Sequence, residues 1–352
     1  MRNNEDTCGA RTNKEKVELL RMRQGYPLKL KIALTERRIR EWYEAHDGFV
    51  YVAFSGGKDS TVLLDLVWSL YPDVPAVFAD TGNELDTVRE FVKGYGDKVT
   101  WVKPKMTFDE VIERYGYPVI SKEQSGFINE VRRILKNKKA GKKWSAKLLG
   151  IRMDGNKWGR GKISIKWRKF IDAPFDVTHK CCSILKIDPT SKYRKETGRK
   201  TMVGVMADES ALREQTYIRF GCNAFNLKDP TSRPIIFWTE MDILTYVSER
   251  NLPISDAYGD VIKRGDEYVC TGEQRTGCKN CLFGLHLQEG ENRIQKLARV
   301  EPESYRHCIE DLGYDKVMDF YGVDWKPYSF ETQTDLFDPS YEIDAKELVK
   351  EK

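Results

Sequence analysis

Two hydrophobic periods alternate along the chain. Residues 50–54 form a run of β-branched and aromatic side chains that reads as a buried strand. From Thr61 onward apolar residues fall at 62, 63, 66, 67 and 70, the spacing of one helix face. The same pair of patterns recurs. Apolar runs at 75–79, 99–102 and 201–205 predict strands, and periodic stretches at 85–93 and 108–115 predict helices. Residues 28–46 carry helical spacing and lead into the first strand. Residues 234–237 predict one more strand, after which Thr239, with Asp242 three residues on, opens a helix through a capping box. Strands alternating with helices predict an α/β fold with a doubly wound parallel sheet.

Breaks in this pattern divide the chain. We expect a helical lead-in at 1–47, an α/β domain made of 48–120 and 175–285, an insertion at 121–174, and a helical C-terminal region at 286–352. The insertion changes the charge picture. The net charge is +5, yet between Arg132 and Lys169 fifteen Lys and Arg face one acid, Asp154, a local +14 that leaves the remainder at −9. Trp144, Trp158, Trp167 and Phe170 punctuate this segment, and Gly141, Gly150, Gly155, Gly159 and Gly161 break helices in it. Basic residues with interleaved aromatics suit phosphate contacts plus base stacking, so 132–169 is a candidate contact for DNA or tRNA. A solvated insertion, or one that binds a single anionic cofactor, is the plainer reading.

Hydrophobic content of 40% supports a core, and 32% charged residues indicate a polar surface. No apolar run approaches the roughly 18 residues of a membrane span, and the N-terminus lacks the apolar segment of a signal peptide. The expected location is the cytoplasm, where eight cysteines serve as metal ligands or reactive thiols in preference to disulfides. Helices at 28–43 offer a surface for pairing subunits as a homodimer.

The chemistry starts where the first strand stops. Ser55-Gly56-Gly57-Lys58-Asp59-Ser60 joins a strand to a helix start, which points backbone N–H groups and the positive helix end at an anion. The glycines let the backbone approach phosphate oxygens, Lys58 adds a charge, and Ser55 and Ser60 add hydroxyls. A glycine turn that merely caps a helix is the alternative. It is not a Walker A loop, which needs four residues between its glycines and the Gly-Lys-[Ser/Thr]. The second strand ends at Asp80-Thr81-Gly82-Asn83-Glu84 and the 201–205 strand at Ala207-Asp208-Glu209-Ser210, polar tips that belong beside the loop in a parallel sheet. Cys181-Cys182 and Cys278-Lys279-Asn280-Cys281 supply four thiolates for a Cys₄ zinc site or a cubane cluster, and spacing does not choose between them. Adjacent cysteines need a local backbone distortion if both are to bind. Cys270 is either a substitute ligand or a sulfur carrier; Cys308 is more simply a buried structural residue.

These motifs occur in the order seen in the phosphoadenosine phosphosulfate (PAPS) reductase family. The loop resembles the PP-loop of enzymes that cleave ATP between its α and β phosphates. The match takes in Asp80 to Glu84, Cys181-Cys182-Ser183-Ile184-Leu185-Lys186, Ala207 to Ser210, Phe237-Trp238-Thr239-Glu240-x-Asp242-Ile243 and Arg275-Thr276-Gly277-Cys278-x-x-Cys281, over about residues 48 to 285. The resemblance implies an adenine-nucleotide-binding α/β fold and a 4Fe–4S cluster on Cys181, Cys182, Cys278 and Cys281. Two departures stand out. Reductases of the family carry a nucleophilic cysteine in a Glu-Cys-Gly-[Leu/Ile]-His motif, whereas here Phe283 precedes Gly284-Leu285-His286 and the last 40 residues hold no cysteine. Reductases also often have a degenerate loop, and this one is complete.

What the resemblance implies is therefore an iron–sulfur PP-loop enzyme that splits ATP to AMP and pyrophosphate and helps replace an acceptor oxygen by sulfur, with a cysteine desulfurase as a possible source. Ser55, Gly56, Gly57, Lys58, Asp59 and Ser60 cradle the phosphates, Lys58 acts with Mg²⁺ on the pyrophosphate, Asp80 and Asp208 orient nucleotide or metal, and Arg213 and Arg275 grip phosphate or sulfate. The rival is a sulfonucleotide reductase that acts on adenylyl sulfate with a thioredoxin-like partner, for which Cys270 or Cys308 is the spare nucleophile. A nucleotide-gated, non-catalytic nucleic-acid-binding subunit is the third possibility.

Overall fold

A computed structural model of the chain describes residues 12–136 and 161–328, with positions 148, 150 and 156 between them. The chain splits into two compact units, one of Met1–Gly116 with His179–Cys281 and one of Tyr117–Thr178 with Leu282–Lys352. The expected insertion and the expected C-terminal region thus fall in the same unit.

Among the described residues the strands are, in chain order, β1 (Val50–Ala53), β2 (Ala76–Ala79), β3 (Val99–Val102), β4 (Val119–Ile120), β5 (Lys200–Val203), β6 (Asn223–Ala224), β7 (Thr231–Ser232), β8 (Val261–Arg264), β9 (Glu267–Cys270) and β10 (Leu282–Phe283). The first unit holds a six-stranded sheet in the order β3-β2-β1-β5-β7-β6, parallel except for the β6–β7 pair. In register, Val52 stands beside Ala76 on one side and Met202 on the other. The chain winds outward from β1 to β3, then returns to the other side of β1 as β5. That reversal opens a crevice at the carboxyl ends of β1 and β5, where ligands of such sheets bind.

Helices α1 (Asn13–Gln24), α2 (Leu28–Ala45) and α3 (Lys58–Leu70) precede or follow β1. The apolar face of α3 buries Val62, Leu63, Leu66 and Val67 against Val50, Val52, Phe78 and Met202. Burial of each such side chain is worth about 1.5–3 kcal/mol, so Leu63→Ala would cost about 2–5 kcal/mol. On α2, Ile39 and Trp42 are buried in this core and Leu28, Ile32, Leu34 and Tyr43 pack against it. The helix expected to pair subunits therefore directs these apolar residues into its own unit.

The sheet departs from expectation at 234–237. These residues form a turn, and the strand is β7, just before them. Pro234 has no N–H for a ladder, and Ile236 and Trp238 donate to the carbonyls of Arg233 and Ile235. Ile235, Ile236, Phe237 and Trp238 are all buried, which makes an apolar run without a strand.

In the second unit β4 pairs in parallel with β10. Trp167 and Phe170 are buried there among Phe175, Phe320 and Tyr321. This corrects the base-stacking expectation for these two rings, which are core residues; Trp144 and Trp158 lie outside the described residues. Arg132 is likewise structural, its guanidinium donating to the carbonyls of Ile171, Ala173 and Phe175. Cys308 is fully buried in a π-helical turn, His307–Asp311. Among the described residues no helix is long and apolar enough to cross a membrane.

Candidate functional site

The loop after β1 is shaped by its own serines. Ser60 Oγ accepts the Ser55 N–H at 3.1 Å and donates to the Gly57 carbonyl at 2.8 Å, while Ser55 Oγ accepts the Gly57 N–H at 3.3 Å. The serines thus fix the turn before any ligand arrives. Gly56 adopts φ +71°, and a Cβ there would lie 2.8 Å from methyls of both Val88 and Val92. Gly204, just past β5, is equally constrained: a Cβ would stand 2.8 Å from the Asp59 carbonyl and 2.9 Å from Ser60 Cα. The end of β5 thus meets the first turn of α3 backbone to backbone.

Lys58 is only 2% exposed. Its ammonium donates to the Gln274 carbonyl at 2.9 Å, pairs with Glu240 at 3.0 Å and Asp59 at 3.7 Å, and lies 5.1 Å from the ring centre of Tyr258. Burial works against this charge, but Asp59 and Glu240 outweigh it and hold the Lys58 pKa above its ordinary value. Burial pushes Asp59 up, with Glu240 adding to it, although Lys58, Arg213 and Arg275 pull it down. Asp59 Oδ1 is buried with no hydrogen-bond donor.

The polar tip after β2 serves the cysteines. Asn83, fully buried, accepts the Lys279 N–H on its carbonyl at 2.7 Å and the Asn280 N–H on its side-chain oxygen at 3.1 Å. Glu84 pairs with Lys186 at 3.4 Å, and Lys186 lies close enough to Cys278 for each to act on the other's protonation. Burial raises the Cys181 thiol pKa, and the nearby Cys278, Cys182 and Cys281 raise it further, so the four sulfurs share one region. A π-helical turn, Ser183–Ile187, follows Cys181-Cys182 directly. Among the described residues no three His, Cys, Asp or Glu side chains converge as one metal ion requires.

Other predicted residues divide. Asp80 is buried at the end of β2 and gripped by Arg89 at 3.2 and 3.3 Å, so it braces the tip loop. Asp208 is exposed. Its neighbour Glu209 takes the contacts instead, pairing with Arg213 and, at 3.9 Å, with Arg275, which brings both arginines towards Asp59. Cys270 is buried against Leu244 and Tyr258 and feels Lys58, Glu240 and Asp59, not the four cysteines; burial raises its pKa. Sequence reasoning did not single out Asn83, Glu84, Lys186, Glu240 or Tyr258 for these roles. All but Tyr258 stand inside the motifs already quoted, which was the available signal.

The model of the phosphoadenosine phosphosulfate reductase domain matches residues 50–170 and 166–273. An uncharacterised protein of Methanocaldococcus jannaschii is 33% identical over 293 residues, 79% of this chain and 52% of that protein. A second from the same organism is 24% identical over 240 residues, 66% of this chain and 38% of its own length. The chain thus spans about half the length, or less, of these two relatives. Adenosine 5'-phosphosulfate reductase of Staphylococcus epidermidis is 22% identical over 232 residues, 62% of this chain and 70% of that enzyme. Among solved structures, PAPS reductase of Candida auris is 12% identical with a TM-score of 0.38, covering 74% of this chain and 98% of its own. With the family match extending over more than half of the chain, the protein belongs to the phosphoadenosine phosphosulfate reductase domain family.

Proposed function

We propose that the chain is an iron–sulfur PP-loop enzyme that binds ATP, cleaves it to AMP and pyrophosphate, and activates an acceptor oxygen for replacement by sulfur. The observation that carries this reading is the complete loop 55–60 at the β1 end of the crevice, with the α3 N-terminus and a buried lysine behind it. In the reaction the acceptor oxygen attacks the α-phosphorus, the bond to the bridging oxygen breaks, and pyrophosphate leaves with the charge. Lys58, kept protonated by its carboxylate neighbours, and the N–H groups of α3 offset that charge. Asp59, with its buried and unbonded Oδ1, is the carboxylate we assign to Mg²⁺. Arg213 and Arg275 hold phosphate oxygens, and Asp80 shapes the tip loop through Arg89.

Cys181, Cys182, Cys278 and Cys281 would hold the cluster. A four-iron cube takes one thiolate per iron, so its ligands ring it and need not meet at a point; a buried Cys181 and three half-buried cysteines, close enough for all three to act on the Cys181 thiol, fit that demand. When bound, the cluster supplies a site for sulfur or a clasp between the two cysteine pairs. The acceptor we propose is nucleic acid, on the strength of the +14 segment, with a cysteine desulfurase as sulfur source.

A sulfonucleotide reductase is the second reading, favoured by the S. epidermidis relative and by the place of Cys270 beside Lys58. Such an enzyme needs a thiolate, whereas burial raises the Cys270 pKa and Cys308 is fully buried. Product analysis on anaerobically purified protein given ATP tests the leading reading. AMP with equimolar pyrophosphate, increased by added DNA or tRNA, is the expected result; ADP with orthophosphate, or no turnover, would overturn it.

A further inference from the structure

Three hydroxyl oxygens surround Gly57, the second glycine of the loop. A Cβ on Gly57 would stand 3.2 Å from the Tyr258 oxygen and 3.3 Å from both Ser55 Oγ and Thr276 Oγ1. Tyr258 is 2% exposed, whereas Ser55 is exposed and Thr276 half-buried, so this polar nook opens on the Ser55 and Thr276 side.

The backbone hydrogen bond into the nook has a fixed direction; the hydroxyl pair beside it can run either way, and its direction is assigned from that neighbour. The Lys58 N–H, in the first turn of α3, donates to the Tyr258 oxygen at 3.1 Å. A phenol oxygen conjugated with its ring offers one good in-plane lone pair, and this donor takes it. The phenolic proton is then left for Thr276 Oγ1, 2.8 Å away. Thr276, having accepted, is left with its own proton to give towards the open side. Burial keeps the phenol protonated, raising its pKa. The tyrosine is also held in place: Gly272 and Glu273 donate to the carbonyls of Tyr258 and Ala257, each at 2.8 Å, and a Cβ on Gly272 would lie 2.6 Å from the Ala257 carbonyl.

We propose that Thr276 is a phosphate-binding residue of this site, its hydroxyl proton aimed at the nucleotide by a relay that runs from the Lys58 N–H through Tyr258. Thr276 touches the phosphate; Tyr258 is a positioning residue. The loop N–H at Lys58 thus acts on the anion at one remove, through two hydroxyls. The assignment rests on the nucleotide reading of the loop but not on which reaction follows.

Titration calorimetry with ATP and with adenosine, on the full chain, tests it. A hydrogen bond to a charged group is lost in Thr276→Val, so ATP affinity should fall roughly tenfold or more. Thr276→Ser should stay within about threefold of wild type, and Tyr258→Phe should fall between the two. Adenosine, which has no phosphate, should bind all four proteins alike. Wild-type ATP affinity in Thr276→Val, or an equal loss for adenosine, would overturn the assignment. If the wild type binds adenylyl sulfate and not ATP, the ATP-cleaving reading fails, and the same ratios taken with adenylyl sulfate still decide the role of Thr276.

Discussion

Asn83 and Asn280 meet at 3.1 Å, the side-chain oxygen of the first accepting the N–H of the second, 197 residues further along the chain. Through this bond, and the Lys279 N–H on the Asn83 carbonyl, the tip after β2 closes the turn that carries Cys278 and Cys281. The polar tip after β2 and the second cysteine motif are one structure.

Asn83→Ala should therefore act first on the cysteines. Loss of a buried hydrogen bond costs about 1–3 kcal/mol, and the turn should loosen. Iron and acid-labile sulfide per chain should drop well below wild type after anaerobic reconstitution. Unchanged metal content with an unchanged melting curve would show that Asn83 does not set this turn.

Gly57 in the loop and Gly204 just past β5 should respond differently to a methyl group. At Gly57 the obstacles are three hydroxyl oxygens that can shift slightly, so Gly57→Ala should cost about 1 kcal/mol of stability and impair nucleotide binding. At Gly204 the obstacles are Asp59 and Ser60 backbone atoms, and Gly204→Ala should cost about 1–3 kcal/mol. Chemical denaturation of both variants gives the order; equal costs would contradict it.

Asp59 sets a pH signature. Burial and Glu240 hold its folded pKa above the ordinary 3.8, so its ionised form is disfavoured in the native state. A group with a raised folded pKa contributes stability that is complete below the unfolded value and lost as pH rises through the folded one. Asp59→Asn should then melt higher than wild type near neutral pH while losing ATP turnover, and the gap should close as pH falls through the carboxylate range. A gap that widens on acidification would reverse the assignment.

Cys270 should behave as a quiet thiol. Burial raises its pKa, so its alkylation by iodoacetamide should be slower than that of free cysteine near neutral pH and should quicken as pH rises above the usual thiol range. Cys270→Ser should keep most ATP cleavage. Rapid labelling near pH 7, with loss of all activity in the serine variant, would favour the reductase.

Much of this architecture is written locally. Residues 61–70 carry a period that a helix satisfies, and the β-branched and aromatic run 50–54 stops at a glycine turn, so β1, α3 and the loop between them were legible, as was the capping box of Thr239 and Asp242. What was hidden depends on distant partners. Nothing near Tyr258 in sequence marks it as a neighbour of Lys58, 200 residues away. The 234–237 run looked like a strand because burial on every side resembles burial in a sheet. Asp208 and Glu209 are adjacent acids, and only the conformation of the turn decided that Glu209 meets the arginines. Trp167 and Phe170 sit among lysines in sequence, yet pack in a core.

The most direct test sets two substrates side by side. Anaerobically purified, cluster-loaded protein is given ATP in one vessel and adenylyl sulfate with thioredoxin in another, and products are identified in both. The account predicts AMP and pyrophosphate from ATP, more with DNA or tRNA present, and no sulfite from adenylyl sulfate. Sulfite from adenylyl sulfate with ATP untouched would contradict it and make the chain a reductase with a displaced nucleophile.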